Sequence, residues 1–288
     1  MSNIRTIEND FLKVSVKDLG AELCGIFNKK TGLNLLWSGD EAWWNRTAPL
    51  LFPSIGRSKD NKYIYNNKDY TMTPHGFARD FDFEMVSLEN TAVTHKLIPN
   101  DKTKEMYPFD FELNVTHRLI ENKLSIEWAV KNNGDETMPF SIGGHAAFMC
   151  SPATGNFEKS SLIFEQDQLT YQLVDGVLVA PDMYKMDLNN KTLPITKELF
   201  EKDVLIFPQG DITKVTIAED GKPHLAVVFR GFPFVGIWTK PGAPFVCIEP
   251  WYGVADSKDA DCIIEHKRGI QMLKAGEEFK VAHTVEAL

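Results

Sequence analysis

Phe111-Glu112-Leu113-Asn114-Val115-Thr116-His117-Arg118-Leu119-Ile120 alternates apolar and polar residues, the two-residue period of a strand with one buried face. Glu121-Asn122 supplies turn chemistry, and Lys123 to Val130 resumes the period until Asn133-Gly134. The stretch therefore predicts an antiparallel hairpin. The same alternation extends outward over Phe11–Asp18, Ala21–Phe27, Ala92–Ile98, His224–Phe229, Pro233–Trp238 and Ile270–Glu286. Asn66-Asn67 marks a further short hairpin between Tyr63 and Tyr70. Thr196–Phe200 predicts one helical turn ahead of an apolar strand ending at Phe207. Another apolar strand begins at Phe245 and is expected to stop at Glu249-Pro250, because proline cannot continue a central ladder. His95 and His117, set among Thr, Lys and Arg, read as solvent-facing. Helices are few, and no repeat or linker-like shift in composition interrupts the chain. Residues 1–288 read as a single all-β domain of many antiparallel strands.

Composition narrows the function. Hydrophobic residues make up 43% and charged residues 25%, so the chain can bury a full core without staples. A net charge of −9 and a pI near 5.3 argue against nucleic acid or an anionic membrane as partner. Cys24, Cys150, Cys247 and Cys262 lie far apart with no CxxC spacing, which supports neither zinc nor a redox motif. The polar start Met1-Ser2-Asn3-Ile4 is not followed by a signal-peptide core, and no apolar run reaches 18 residues. A reducing cytoplasm with free thiols is the expected setting, and either a monomer or a homodimer is compatible.

Chemistry concentrates in a few places. Ser141-Ile142-Gly143-Gly144-His145-Ala146-Ala147-Phe148 sets an imidazole among small residues that let a ligand approach. His145 is either a proton donor and acceptor near neutrality or a buried histidine satisfied by a carbonyl. Glu249 follows four apolar residues, so a raised pKa suited to acid or base work is expected. Its alternative is a turn-capping carboxylate or a partner for Lys267. Trp251 and Tyr252 offer a stacking wall for a sugar. His75, beside Gly76, is a third polar group. Arg57, after Ser54-Ile55-Gly56, is a fixed planar cation for hydroxyls or an oxyanion, with Arg46 and Arg79 as lesser candidates. Asp203 either binds hydroxyls or caps a turn. The aromatic, proline-punctuated stretch from Asp40 to Arg57 suits a pocket wall.

Several classes are absent. The chain has no Gly-x-Ser-x-Gly elbow, P-loop, dinucleotide fingerprint or His-Glu-x-x-His. No spacing demands a metal, so neither metal nor cofactor is expected. A hydrolase would want paired carboxylates roughly 5–10 Å apart. The one dense acidic cluster, Asp256, Asp259 and Asp261, reads as a solvated loop.

Five motifs occur in order: Gly56-Arg57, His75-Gly76-Phe77, Gly144-His145-Ala146-Ala147-Phe148, Cys247-Ile248-Glu249-Pro250-Trp251 and Leu273-x-x-Gly276-Glu277. Together they resemble the aldose 1-epimerases (galactose mutarotases) over essentially the whole chain. Leu51-Phe52-Pro53 and Pro74-His75-Gly76-Phe77-Ala78-Arg79-Asp80 look most like the LacX-type branch. The resemblance implies a β-supersandwich with a cleft across one sheet face. It implies an isomerase that interconverts the α and β anomers of a hexose, with Glu249 as base, His145 as acid and His75 assisting. Arg57 would bind sugar hydroxyls, Asp203 matches a substrate-binding aspartate loosely, and Trp251 and Arg79 are expected to contact the substrate as well. Galactose enzymes of the family carry an Asn-His-Ser/Thr-Tyr-Phe-like motif and follow the glutamate with Thr-Gln. Here Gly144-His145-Ala146-Ala147-Phe148 and Pro250-Trp251 stand instead, which leaves the sugar open. A hexose 6-phosphate held by Arg57 with Arg46 or Arg79 is one alternative. A non-catalytic sugar-binding or sensing protein is another, although it would need no matched acid and base.

Overall fold

The hairpin about Glu121-Asn122 is present in the computed structural model, which describes residues 3–208, 210 and 212–288. Elements counted below are those of the described residues. Phe111–Ile120 pairs with Lys123–Asn132 from Phe111↔Asn132 to Ile120↔Lys123. Glu121 takes the positive φ that the tight turn requires. The hairpin lies within a nine-stranded antiparallel sheet, flanked by Glu278–Ala287 on one side and Ala92–Leu97 on the other. A second sheet of eight strands runs through Gln168–Asp175, Leu205–Pro208, Phe234–Trp238 and Phe245–Tyr252 to Ile142–Gly144 and Leu50–Leu51. Ala146–Met149 also pairs with Phe245–Tyr252. A four-stranded meander, Ile4–Glu8 to Leu33–Asn34, completes the major sheets.

Alternation explains how the sheets pack. Leu113, Val115, Leu124 and Val130 of the hairpin share one core with Val235, Ile237, Val246 and Ile248 of the second sheet. The two sheets thus lie face to face, burying the apolar set of each. The opposite face of the eight-stranded sheet is free to carry a site. The expected helical turn is a 3-10 turn at Glu198–Phe200, and the Asn66-Asn67 turn is present with both residues at positive φ.

Three expectations fail. His95 and His117 are buried, at 0% and 2% exposure, because they fall in phase with the inward Val93, Leu97, Val115 and Leu119. Their polar neighbours belong to the other face of each strand. His95 Nε2 lies 3.1 Å from Asp18, which Arg5 grips in turn. The strand from Phe245 does not end at Glu249-Pro250 but continues to Tyr252, with Pro250 opposite Val235. Asp256 is no member of a solvated loop; it is buried and ion-paired with Lys267, whose side chain is likewise buried.

Candidate active site

Proline in mid-strand has a local cause. Ala146 stands opposite Ile248 and Gly143 opposite Trp251, a register that sets His145 opposite Glu249 and Gly144 opposite Pro250. The neighbouring strand breaks at His145, where Pro250 has no N–H to give. The backbone N–H of His145 donates instead to Pro49 O at 3.1 Å. The acid and base candidates are therefore a directly facing cross-strand pair on the cleft side. His145 Nε2 and Glu249 Oε2 lie 3.4 Å apart.

Period two sorts their neighbours. Cys247, Glu249 and Trp251 share the cleft side, whereas Ile248 and Pro250 face the core or its edge. Tyr252 falls on the core side as well, packing on Phe232 and Phe279 with its hydroxyl donating to Gly231 O. It is no part of a stacking wall. Ala146 also points into the core, and only Ala147 lies beneath the cleft.

The glycines serve a different purpose from the expected one. A Cβ on Gly143 would come within 2.6 Å of Trp251 Cδ1, and one on Gly236 within 2.4 Å of Trp251 Cη2. Both neighbouring strands thus leave room for the indole of Trp251, not for a ligand's approach. Gly144 faces Trp128 and His283 in the core.

Two loops complete the site. The backbone N–H groups of Phe77 and Ala78 donate to Phe52 O, and that of His75 donates to Gly56 O. Gly56 N donates to His75 Nδ1 at 3.2 Å. A Cβ at Gly76, where φ is +72°, would lie 2.2 Å from Phe52 O, so glycine is required there. This lock seats His75 with its ring 5.5 Å from that of His145. It also seats Arg57, whose Nε is buried with no hydrogen-bond partner among the described residues. Arg79 donates to Pro74 O, and Arg46 pairs with Asp80 at 2.6 Å. Glu22, which sequence reasoning missed, holds the other wall by accepting from Thr47 N, Thr47 Oγ1 and Ala48 N.

All seven residues singled out for the site line one cleft of about 310 Å³: Glu249, His145, His75, Arg57, Asp203, Trp251 and Arg79. That is room for a monosaccharide-sized ligand. Asp203 stands exposed at the rim with φ +70°. Two tryptophans had not been singled out. Trp44 stacks on the His145 ring at 4.9 Å, and Trp238 meets it edge-on at 5.7 Å. The pairing of Trp238 with Cys247 puts it on the cleft face, which only strand register could reveal. A second cavity of about 320 Å³ lies beyond Ala255 around Lys267 and Arg268 and contains neither His145 nor Glu249.

Electrostatics set the pair's proton. Burial pushes Glu249 well above the ordinary carboxylate range; the nearby Asp203 charge adds to this and the Trp251 indole opposes it. Burial holds His145 well below the ordinary imidazole value, aided by the adjacent His75. His75 is itself lowered to about 3 by burial, with Arg79 and Arg46 contributing. Between the two facing groups one proton is retained over a wide pH range, with each able to give or take it. This is an arrangement for moving two protons at one small substrate.

The aldose 1-epimerase family model matches residues 4–285. The chain is 32% identical over 296 residues to the chromosomal LacX protein of Lactococcus lactis subsp. lactis, covering 98% of each. A galactose mutarotase related enzyme from Lactobacillus acidophilus superposes with a TM-score of 0.94 at 34% identity, covering 99% of this chain and 97% of that one. A galactose mutarotase-like protein from Lactobacillus casei gives 0.92 at 33% identity, covering 99% and 100%.

Proposed function

Because this chain belongs to the aldose 1-epimerase family, with the galactose mutarotase-like β-supersandwich fold, we propose that it interconverts the α and β anomers of a hexose through His145 and Glu249. The observation that carries this reading is the facing pair, 3.4 Å apart at the floor of a cleft of sugar size. The proton held at rest on Glu249 first passes to His145 across the 3.4 Å contact. The Glu249 carboxylate then takes the proton of the anomeric hydroxyl while the His145 imidazolium gives one to the ring oxygen. The ring opens, rotation about C1–C2 presents the other face of the aldehyde, and closure reverses both transfers. No net proton is consumed, so a pair that keeps one proton between its members is restored after every turnover. Each positioned transfer contributes roughly 10²–10⁴-fold. His75 lies beside His145 and assists it, Trp44 and Trp251 provide apolar walls for the sugar's faces, and Asp203 and Arg57 serve its hydroxyls.

A phosphorylated hexose is favoured as a second substrate class by one observation. Arg46, Arg57 and Arg79 converge on the same cleft, and Arg57 has no acidic partner within ion-pair distance among the described residues. The four free thiols fit a reducing, cytoplasmic setting, and residues 1–288 act as one domain. The decisive test is proton-NMR exchange between anomers of glucose, galactose and glucose 6-phosphate with purified protein. Accelerated exchange with at least one is expected. Saturable binding without exchange would instead establish a sugar-binding protein.

A further inference from the structure

Cys247 has no part in the proposed reaction and does not line the cleft, yet it is buried directly behind the pair. It stands two residues before Glu249 on the same strand face, and its Sγ, a ring nitrogen of His145 and a carboxylate oxygen of Glu249 all fall within 4.8 Å of one another. Both oxygens of Glu249 are buried without a well-aligned hydrogen bond, with only the Trp251 indole and the His145 ring beside them as donors among the described residues. A buried carboxylate so weakly satisfied is a good ligand for a cation. We infer that His145, Cys247 and Glu249 form a three-ligand site for a thiophilic divalent cation such as Zn²⁺, which blocks the cleft when bound.

Geometry and charge both fit. Tetrahedral Zn²⁺ holds nitrogen and oxygen ligands at about 2.0–2.2 Å, which puts the two ligand atoms about 3.3–3.5 Å from each other. His145 Nε2 and Glu249 Oε2 are 3.4 Å apart already. The Cys247 thiol, within 4.8 Å of both, supplies the third corner. The fourth corner opens on the cleft, where water or a sugar hydroxyl completes the shell. Bound as ligands, Cys247 is a thiolate, Glu249 a carboxylate and His145 a neutral imidazole. The dication, thiolate and carboxylate then sum to zero charge, the total a buried pocket tolerates best. The thiolate selects soft ions, so Mg²⁺ and Ca²⁺ are excluded. Spacing in sequence hides this site, since Cys247-x-Glu249 points to one face only once the strand is known.

Co²⁺ titration of the full chain tests it. A thiolate-to-cobalt charge-transfer band in the near-ultraviolet is expected, with displacement of the band by Zn²⁺. Cys247→Ser is expected to lose the band, and Glu249→Gln, which keeps the thiol, to weaken cobalt binding. No band in the wild type, or a band that survives Cys247→Ser, overturns the proposal. Inhibition supplies a second readout, and this arm alone rests on the mutarotase reading. Zn²⁺ stops anomer exchange in the wild type, a chelator restores it, and Cys247→Ser turns over normally but resists Zn²⁺. A protein that shows the band yet never catalyses exchange would sink the mutarotase reading and leave the metal site standing. Active wild type indifferent to Zn²⁺ would do the reverse.

Discussion

Glu249 is held against its own charge, and its chemistry and its cost share that cause. Burial and the Asp203 charge raise its pKa, while burial lowers that of His145, so the pair's two titrations are driven apart. The acid limb of kcat/KM is expected below the ordinary imidazole value of about 6.5, and the alkaline limb above the ordinary carboxylate value of about 4.3. The profile between them is bell-shaped, measurable by anomer exchange across pH. Asp203→Asn removes a repelling charge, so it should move the alkaline limb down; an unmoved limb would refute the coupling. Glu249→Gln and His145→Asn should each lose most of the activity, about 10²-fold or more. Stability follows the opposite course. A carboxyl with a raised folded pKa contributes fully below its unfolded value and loses that contribution as pH rises towards the folded one. Glu249→Gln does not titrate, so its melting temperature relative to wild type should climb with pH. Scanning calorimetry at pH 4 and pH 8 checks this, and a constant difference would contradict the assignment.

The strand Phe245–Tyr252 shows what alternation discloses and what it conceals. Strands, turns and the overall antiparallel plan were legible from Phe111–Ile120 outward, because a one-sided strand must alternate. Which phase faces inward was misread at His95 and His117, where flanking Thr, Lys and Arg described the other face. The cleft residues were legible as types in suggestive contexts. That His145 faces Glu249 was not, since it depends on a register between strands about a hundred residues apart. Pro250 misled for the same reason: its missing donor falls where the partner strand breaks. The flanking glycines yield a prediction about this strand. A methyl at Gly236 would meet Trp251 Cη2 at 2.4 Å, and Glu249 stands directly opposite Gly236. Gly236→Ala must therefore shift the indole or spread the two strands. Overpacking of this kind costs about 1–3 kcal/mol, to be read as a lower urea midpoint. Because Trp251 and Glu249 share the displaced face, anomer exchange should fall as well. An alanine variant with wild-type midpoint and activity would show that the indole has room to move.

Taken over both sheets, the molecule carries a set of buried imidazoles that ties its stability to pH. His117 and His283 lie on facing positions of the nine-stranded sheet, each opposite Ile126, with 2% and 5% exposure. Burial lowers both to about 3, and His95 and His283 add like-charge terms at His117. In the unfolded chain each titrates near 6.5. Between those values the unfolded state binds protons that the folded state refuses, so acid favours unfolding. The contribution of these two histidines is fully present above about pH 6.5. Below it, each histidine removes about 1.4 kcal/mol per pH unit once the unfolded group is protonated. Two such groups lose about 3 kcal/mol per unit, a rate that overtakes a typical domain stability of about 5–15 kcal/mol within a few units. Asp18, lowered to about 2 chiefly by Arg5, adds its own loss only below the ordinary carboxylate range. Urea midpoints should therefore fall steeply between pH 6 and 4, and fall again below pH 4. Replacing His117 by Asn, which cannot take up a proton, should shallow the first decline while leaving the second. A wild-type midpoint constant from pH 7 to pH 4.5 would mean that these imidazoles find a buried proton acceptor when charged, and that the core is more polar than its packing implies.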